Sequence, residues 1–353
     1  MPLRRAAAGL PVLLIYNLDP AWTPHERDEV LKETNRLGTA MEEFGHPVEI
    51  VPIVDGDLAV GLEAFHPNDF IVLNWCESLP GISRSEALVA EALQSLGFTF
   101  TGAPARSLAL SQDKRSVKAL LERHDIPTPP WQVYENATAD GWECFPAIVK
   151  PLYEHCSIGI TADAVGLTQN ELQQRVRYVL DTFQQPALVE SFVDGREFRV
   201  SLWGDSLIEP LPVVEMDFSA FPDVRQRLCT YESKFDPDSL HYKNIETLLP
   251  APLPEDACRR LCETAASAYS AVGCRDYGRI DIRLQDGVFY VLDVNPNPDI
   301  SADASMACAA EIAGFSYGAF GSYLVALAAC RHPLFKSHGV SLRRILRNQS
   351  GSP

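Results

Sequence analysis

Apolar residues along the first hundred positions come as short unbroken runs separated by amphipathic stretches. Pro11-Val-Leu-Leu-Ile-Tyr16 carries no charge and reads as a strand covered on both faces. Over 25–44, Val30, Leu31, Leu37, Met41 and Phe44 recur at helical spacing, and Gly45 supplies a stop. Further strands fall at 48–53, 70–75 and 98–101. Ser83 and Glu86 have the spacing of a capping box for a helix that ends at Gly97. Strands alternating with helices predict an open α/β lobe with a parallel sheet. The first turn, Asn17-Leu-Asp-Pro20, lacks the Gly-x-Gly-x-x-Gly spacing, so no dinucleotide site is expected there.

The pattern changes after Ala103. Val117, Leu120, Leu121 and His124 mark one face of a helix that Asp125-Ile-Pro-Thr-Pro-Pro130 ends. A strand at 147–150, a loop and a helix over 171–183 come next. From 187 to 203 there are two strands around Asp194-Gly195. In the second, Phe198, Val200 and Leu202 alternate with Glu197, Arg199 and Ser201. A helix over 254–272, a hairpin over 277–295 and an apolar helix around 317–330 follow. The mildly basic stretch after Lys336 is expected to be a loosely ordered terminus.

The hairpin concentrates polar chemistry. It places Arg279, Asp281, Asp293 and Asn295 on one face. A two-residue turn at Asp286-Gly287 would set Gln285 against Val288, and Asp281 against Leu292. A loop one residue longer sets Asp281 against Asp293. It also lines Ile280, Ile282 and Leu284 up with Val294, Leu292 and Tyr290 as one apolar side. Hydrophobic consistency favours the second register. Two carboxylates opposed across a ladder repel each other and want a cation. With an amide oxygen beside them they are hard ligands suited to Mg²⁺. For the hairpin alone, a solvated polar face is the competing reading.

Composition narrows the class. A chain of 353 residues has room for two or three lobes, and 46% apolar content excludes extensive disorder. A net charge of −17 argues against a nucleic-acid partner. Nine cysteines without a CxxC pair, with eight histidines, describe neither a disulfide framework nor a zinc site. Cys258 and Cys262 share a helical face with Leu261, Ala265, Tyr269 and Val272 and read as packed thiols. A reducing cytoplasm is the expected location. Arg4-Arg5 and the run to Tyr16 imitate a signal peptide, but the run is short and lacks a convincing cleavage site. No stretch approaches a membrane span, so no membrane partner is expected.

Three lysines stand out. Lys114 opens a helix, Lys150 ends the apolar strand Ala147-Ile-Val-Lys150, and Lys234 lies in the irregular Thr230-Tyr-Glu-Ser-Lys-Phe235. Each alone would read as a solvated surface residue. After Lys150, the loop Glu154-His-Cys-Ser-Ile-Gly-Ile160 has small residues whose backbone N–H groups could close over phosphates.

Together these parts resemble the ATP-grasp superfamily and, within it, the D-alanine–D-alanine ligases, from about position 70 to about 320. Gly278-Arg-Ile-Asp281 and Val291-Leu-Asp-Val-Asn-Pro-Asn-Pro298 are similar to that family's Arg-x-Asp and Glu-x-Asn signatures. Leu188-Val-Glu-Ser-Phe-Val-Asp-Gly-Arg-Glu197 is similar to the segment between its two ATP-holding halves. The resemblance implies a three-lobed ATP-grasp fold. It would comprise an α/β lobe with an open parallel sheet at 1–103, a central subdomain at 104–188, an α+β C-terminal subdomain with the metal site at 189–335, and a tail at 336–353.

It also implies roles. Lys114, Lys150 and Lys234 would hold ATP phosphates, with Ser157 in the loop above them. Glu190 and the backbone near Val193 would meet adenine, with Leu292 beneath it, and Glu197 the ribose. Asp281, Asp293 and Asn295 would hold Mg²⁺, for which Mn²⁺ can substitute. Arg279 would stabilise a tetrahedral intermediate, with Lys234 as the second catalytic residue. The implied reaction is ADP-forming ligation: a carboxylate attacks the γ-phosphate, and an amine displaces the acyl phosphate. Amino-acid or peptide-like acids and amines, and a homodimer, are implied with it. Phosphorylation, carboxylation or thioester formation are other outcomes of the fold, and a non-catalytic nucleotide-binding regulator is the rival of another class.

The departures concern the substrate half. Asp293 stands where the family has Glu. The N-terminal Gly-Gly-x-Ser-x-Glu motif is missing, with Asn17-Leu-Asp at that turn. Asn74-Trp-Cys-Glu77 replaces a His-Gly motif, Cys156 a substrate-orienting Ser, and Phe235 a mobile-loop Tyr. Asp299 and Ala304 replace the Gly and Ser of the acceptor region.

Overall fold

The computed structural model describes residues 9–349, leaving the side chains of Lys234, Phe235 and Gln349 outside the description. In the N-terminal lobe, strands β1 (Val12–Asn17), β2 (Val48–Ile53), β3 (Ile71–Trp75) and β4 (Thr99–Phe100) form a parallel sheet in the order β2-β1-β3-β4. Every residue of β1 is buried, as its uninterrupted apolar run requires. Helices α1 (Pro24–Phe44), α2 (Leu58–Leu62) and α3 (Glu86–Ser95) connect the strands.

The capping box lies elsewhere than expected. At the start of α1, Thr23 N–H and Oγ1 both donate to Glu26 at 2.7 Å, and Glu26 N–H returns a bond to Thr23 Oγ1 at 3.3 Å. The box expected from Ser83 to Glu86 does not form. Ser85 is the residue before α3, its hydroxyl is used by Ile82 and Leu79, and Glu86 is engaged by Asn297.

Two helices, α4 (Ala105–Gln112) and α5 (Lys114–Arg123), lead into a central sheet of β5 (Trp131–Tyr134), β6 (Ala147–Pro151), β7 (Val165–Gly166) and β8 (Ala187–Ser191), in the order β5-β8-β6-β7. Helix α6 (Gln169–Phe183) covers one face through Leu172, Val176 and Val179. Strand β8 continues to Ser191, three residues past the boundary expected at 188.

The C-terminal sheet holds β9 (Arg196–Trp203), β10 (Glu209–Pro210), β11 (Val214–Asp217), β12 (Glu246–Leu248), β13 (Tyr277–Gln285) and β14 (Val288–Asn295), ordered β12-β11-β9-β13-β14 with β10 beside β9. Although β8 and β9 are separated by only four residues, they belong to different sheets. Gly195 makes the switch possible, since a Cβ there would stand 1.9 Å from the Leu284 carbonyl oxygen. Short helices α7 (Glu232–Phe235) and α8 (Leu240–Asn244) lie between β11 and β12, and α9 (Glu255–Val272) backs the sheet. Leu261, Ala265, Tyr269 and Val272 of α9 pack on Phe198, Val200, Ile280 and Ile282, with Cys258 and Cys262 against the same core.

Helices α10 (Ser305–Ile312), α11 (Tyr317–Ala329) and α12 (Lys336–Gln349) close the chain. The expected loose terminus is largely helix. Leu342 and Leu346, four residues apart, are buried in the core shared with α1 and α11, and Arg347 donates to Tyr323 Oη at 3.0 Å. No single helix among the described residues is long and apolar enough to cross a membrane.

A buried ion cluster ties the first lobe to the third. Asp276 accepts the Gly102 N–H at 2.9 Å and both Arg331 nitrogens, while Arg275 donates to the Gly102 carbonyl.

Candidate active site

The hairpin β13–β14 sets Asp281 opposite Asp293 and Arg279 opposite Asn295. It does so by a route the sequence pattern did not suggest. The turn is the tight one, with Gln285 facing Val288 and positive φ at Asp286 (51°) and Gly287 (79°). The register shifts further in, between Asp281 and Ile282, where Leu292 is an extra residue on β14. The apolar side is therefore Ile280, Ile282 and Leu284 against Val294, Val291 and Phe289. Leu292 and Tyr290 were expected there, but the bulge turns Leu292 to the other face.

That other face looks into a cleft of about 930 Å³, partly open to solvent, between the central and C-terminal sheets. Lys114, Lys150, Ser157 and Glu190 line it from the central side, and Glu197, Asp281, Leu292 and Asp293 from the C-terminal side, with Val193 at the crossing between sheets. The structure brings all nine together. Arg279 and Asn295 sit beside them, next to Asp281.

At one end the lysines gather. Glu190 is buried between two ammonium groups, with Lys150 Nζ at 2.5 Å from one oxygen and Lys118 on the other. Burial would push the Glu190 carboxyl up, but the two lysines outweigh it and hold it at about 2. Lys114 differs. Its Nζ donates to the Glu154 carbonyl, and no carboxylate lies within ion-pairing distance of it among the described residues. Burial and the neighbouring Lys150 lower its pKa, with Asp293 and Glu190 opposing them. The cleft thus has an ammonium group not neutralised by a paired carboxylate, as an anion site requires.

Above the lysines, the loop from Glu154 runs through left-handed backbone at Cys156 (φ 55°), Ser157 (φ 63°) and Gly159 (φ 74°). Such turns point successive N–H groups to one side. His155 Nε2 is buried without a hydrogen-bond partner among the described residues, and burial followed by Lys114 pushes this ring down to about 4. Lys234 lies in α7, and its side chain is outside the described residues.

At the opposite wall Arg283 Nε donates to Glu197 at 2.8 Å and its NH1 to the Val193 carbonyl at 2.7 Å. The Val193 N–H bonds no carbonyl among the described residues, so this backbone keeps a donor for a ligand edge while its acceptor is taken. Leu292 supplies an apolar surface to the same cleft.

Asp281 is held by Arg279 through two parallel bonds, 2.8 and 3.0 Å, and Asn295 Nδ2 approaches it at 3.4 Å. Burial works against the Arg279 charge, but Asp281 and Asp293 raise its pKa and keep it protonated. Asp293 accepts the Val294 N–H at 3.0 Å. The described residues contain no cluster of three or more His, Cys, Asp or Glu able to hold a metal unaided. Two carboxylates and an amide oxygen instead fit an ion that retains water and phosphate oxygens in its shell, as Mg²⁺ does. Such an ion would share Asp281 with Arg279.

Apart from the cleft lining, Glu77, Glu86 and Asp299 gather near the C-terminal ends of β1 and β3. Asn17 accepts the Glu77 N–H at 3.1 Å and donates to Ser78 at 3.2 Å, so this turn is self-contained. Burial, then Asp299 and Glu86, push the Glu77 carboxyl up to about 7. Burial does the same to Glu86, which accepts Asn297 Nδ2 at 2.7 Å. Asp299 caps the turn at Ser301.

The family described as the D-ala D-ala ligase C-terminus matches residues 120–326. That span holds Lys150, Glu190, Arg279 and both aspartates of the opposed pair. The chain belongs to the D-alanine–D-alanine ligase family. It is an ATP-dependent ATP-grasp ligase that forms C–N bonds. Among similar proteins, y4sG of Sinorhizobium fredii is 31% identical over 79% of this chain and 82% of its own. A D-alanine–D-alanine ligase of Chromohalobacter salexigens is 31% identical over 73% and 77% of the two chains, and that of a Marinomonas species 32% over 68% and 72%. The Bacillus anthracis D-alanine–D-alanine ligase complexed with ATP superposes with a TM-score of 0.68 over 96% of this chain and 99% of its own, at 18% identity, a likeness of fold.

Sequence reasoning missed Lys118, Arg283 and His155. A signal was present for the first. Lys118 lies four residues after Lys114, amid the apolar positions Val117 and Leu121, where a charge needs a buried partner. Arg283 alternates with Arg279 and Asp281 on the site face and was recoverable from the period of two.

Proposed function

We propose that this ligase activates a carboxylate as an acyl phosphate at the expense of ATP, releasing ADP, and transfers the acyl group to an amine of an amino-acid or peptide-like substrate. The observation that carries this reading is the opposed Asp281–Asp293 pair, with Arg279 on one side of it and Lys114 and Lys150 on the other. Bound Mg²⁺ would neutralise phosphate charge during transfer, and Asp281, Asp293 and Asn295 are the residues that would hold it. Lys114, Lys150 and Lys234 hold the phosphates, and the N–H groups around Ser157 close over them. The Val193 backbone and Glu190 meet the base, Leu292 lies beneath it, and Glu197, oriented by Arg283, meets the ribose. Arg279 then stabilises the oxyanion formed when the amine attacks.

The free cysteines fit a reducing cytoplasm, and a homodimer is the assembly that the family resemblance suggests. Light scattering with size exclusion tests the dimer. The reaction is tested by ADP release across pairs of acids and amines with Mg²⁺. Release should need the acid and rise sharply when its amine is added. ADP formation that ignores every amine while a phosphorylated product accumulates would turn the reading towards a kinase.

A further inference from the structure

Lys118 has appeared so far only as a partner of Glu190, yet it is 2% exposed and its ammonium has four acceptors. It donates to Thr128 Oγ1 at 2.7 Å, to the Val291 carbonyl at 3.2 Å and to the Leu292 carbonyl at 3.1 Å, and it pairs with Glu190. Val291 and Leu292 are where β14 bulges, and a bulge removes carbonyls from the regular ladder. Buried carbonyls must find donors elsewhere. Thr128 Oγ1 adds a bond to the Val291 carbonyl at 2.9 Å, and the Val291 N–H reaches back to Pro127 at 2.8 Å.

We infer that Lys118 is a positioning residue for the metal site: it fixes the bulge at Leu292, and through it the register that sets Asp293 opposite Asp281. The inference rests on the reading of that pair as the Mg²⁺ site. Without the ammonium, two buried carbonyls lose donors, and β14 can recover ladder bonds by sliding one residue towards the turn's own register. That slide would put Leu292 opposite Asp281 and turn Asp293 to the apolar side. A buried ammonium is a poor stability device compared with an apolar side chain of equal size, so its presence is explained by what it orients. Through Glu190 the same ammonium reaches Lys150, so the phosphate end and the metal strand share one fixed point.

The test measures Mn²⁺-dependent binding of the non-hydrolysable analogue AMP-PNP by the full chain. Calorimetry is followed by the electron paramagnetic resonance spectrum of bound Mn²⁺, with circular dichroism as the fold control. Lys118→Met should raise the Mn²⁺ concentration for half-saturation at least tenfold and broaden the bound-Mn²⁺ spectrum, with Lys118→Arg recovering part of the loss. Thr128→Val keeps the charge pair with Glu190 and removes one donor to the bulge. It should raise half-saturation about threefold and decides the matter if Lys118→Met does not fold. Parental Mn²⁺ dependence in folded Lys118→Met, or in Thr128→Val where the first does not fold, overturns the inference. Parental protein that binds AMP-PNP with no Mn²⁺ dependence overturns the metal reading itself, and the inference with it.

Discussion

Asp281 and Asp293 face each other across two antiparallel strands because one residue, Leu292, is inserted between Asp293 and the hairpin turn. The bulge does two things at once. It aligns two carboxylates that would otherwise be out of register, and it turns an apolar side chain into the cleft. Asp281 is already satisfied by Arg279, so Asp293 is the carboxylate through which an added cation gains most.

Asp293→Asn should therefore abolish Mg²⁺-dependent turnover while leaving the fold intact. The amide keeps an oxygen that can accept the Val294 N–H, so nothing in the core changes. ADP release titrated with Mg²⁺, with a far-ultraviolet spectrum alongside, checks both parts. Turnover at the parental rate with parental Mg²⁺ dependence would remove Asp293 from the metal site.

Arg279→Gln separates oxyanion stabilisation from nucleotide binding. Arg279 bonds Asp281 and does not line the part of the cleft that holds Lys114 and Lys150, so affinity for a non-hydrolysable ATP analogue should stay nearly unchanged. Turnover should fall by roughly 10²–10³-fold, as loss of one oxyanion donor does. A large loss of nucleotide affinity with little change in kcat would make Arg279 a phosphate clamp.

These expectations show how the sequence divides into legible and illegible parts. The three lobes and nine of the fourteen strands followed from runs of two kinds, unbroken ones such as 11–16 and alternating ones such as Phe198, Val200 and Leu202, while β5, β7, β10, β11 and β12 were not read. The polar face that carries Arg279 and Asp281 followed from the period of two in β13. The bulge could not be read, because a tight turn plus an inserted residue and a longer loop plus none give the same pairing of Asp281. The burial of Lys118 left a signal, but two of the groups it holds could not be read, because those carbonyls lie 173 and 174 residues away in the chain. The helix after Lys336 was missed because its apolar stripe is short, and only packing on α11 makes it worth forming.

Glu86 gives a pH-dependent stability with a definite sign. Its folded pKa, about 7, lies above the usual carboxylate value, chiefly through burial. The folded state thus binds its proton more tightly than the unfolded state does, and the associated stability is complete below about pH 4.5 and lost as pH rises through 7. Glu86→Gln should raise Tm at pH 8, with the difference shrinking towards zero by pH 4.5. Glu77 shifts in the same direction but is open to solvent on one side, so Glu77→Gln should show a smaller effect. An unchanged or lowered Tm for Glu86→Gln at pH 8 would mean that its bond to Asn297 outweighs the burial of the charge.

The acidic group of Glu77, Glu86 and Asp299 also bears on substrate choice. An acceptor D-alanine presents a carboxylate, and here Asp299 and Ala304 stand where the family resemblance places the groups that receive it, with Glu77 and Glu86 nearby. Asp299 is committed to the Ser301 turn and lies close enough to Glu77 to raise that carboxyl. The Gly-Gly-x-Ser-x-Glu motif that, by the family resemblance, would receive the first D-alanine is absent from the turn at Asn17, whose side chain is tied to Glu77 and Ser78. D-alanine supplied alone should accordingly be a poor substrate, with kcat/KM well below the ~10⁴ M⁻¹s⁻¹ at the low end for true enzyme–substrate pairs. Asp299→Gly should improve it by easing repulsion at the acceptor carboxylate, without restoring the donor contact. Dipeptide formation from D-alanine measured by ADP release and mass spectrometry decides the matter: efficient synthesis by the parental protein would show that other residues receive the two D-alanine molecules.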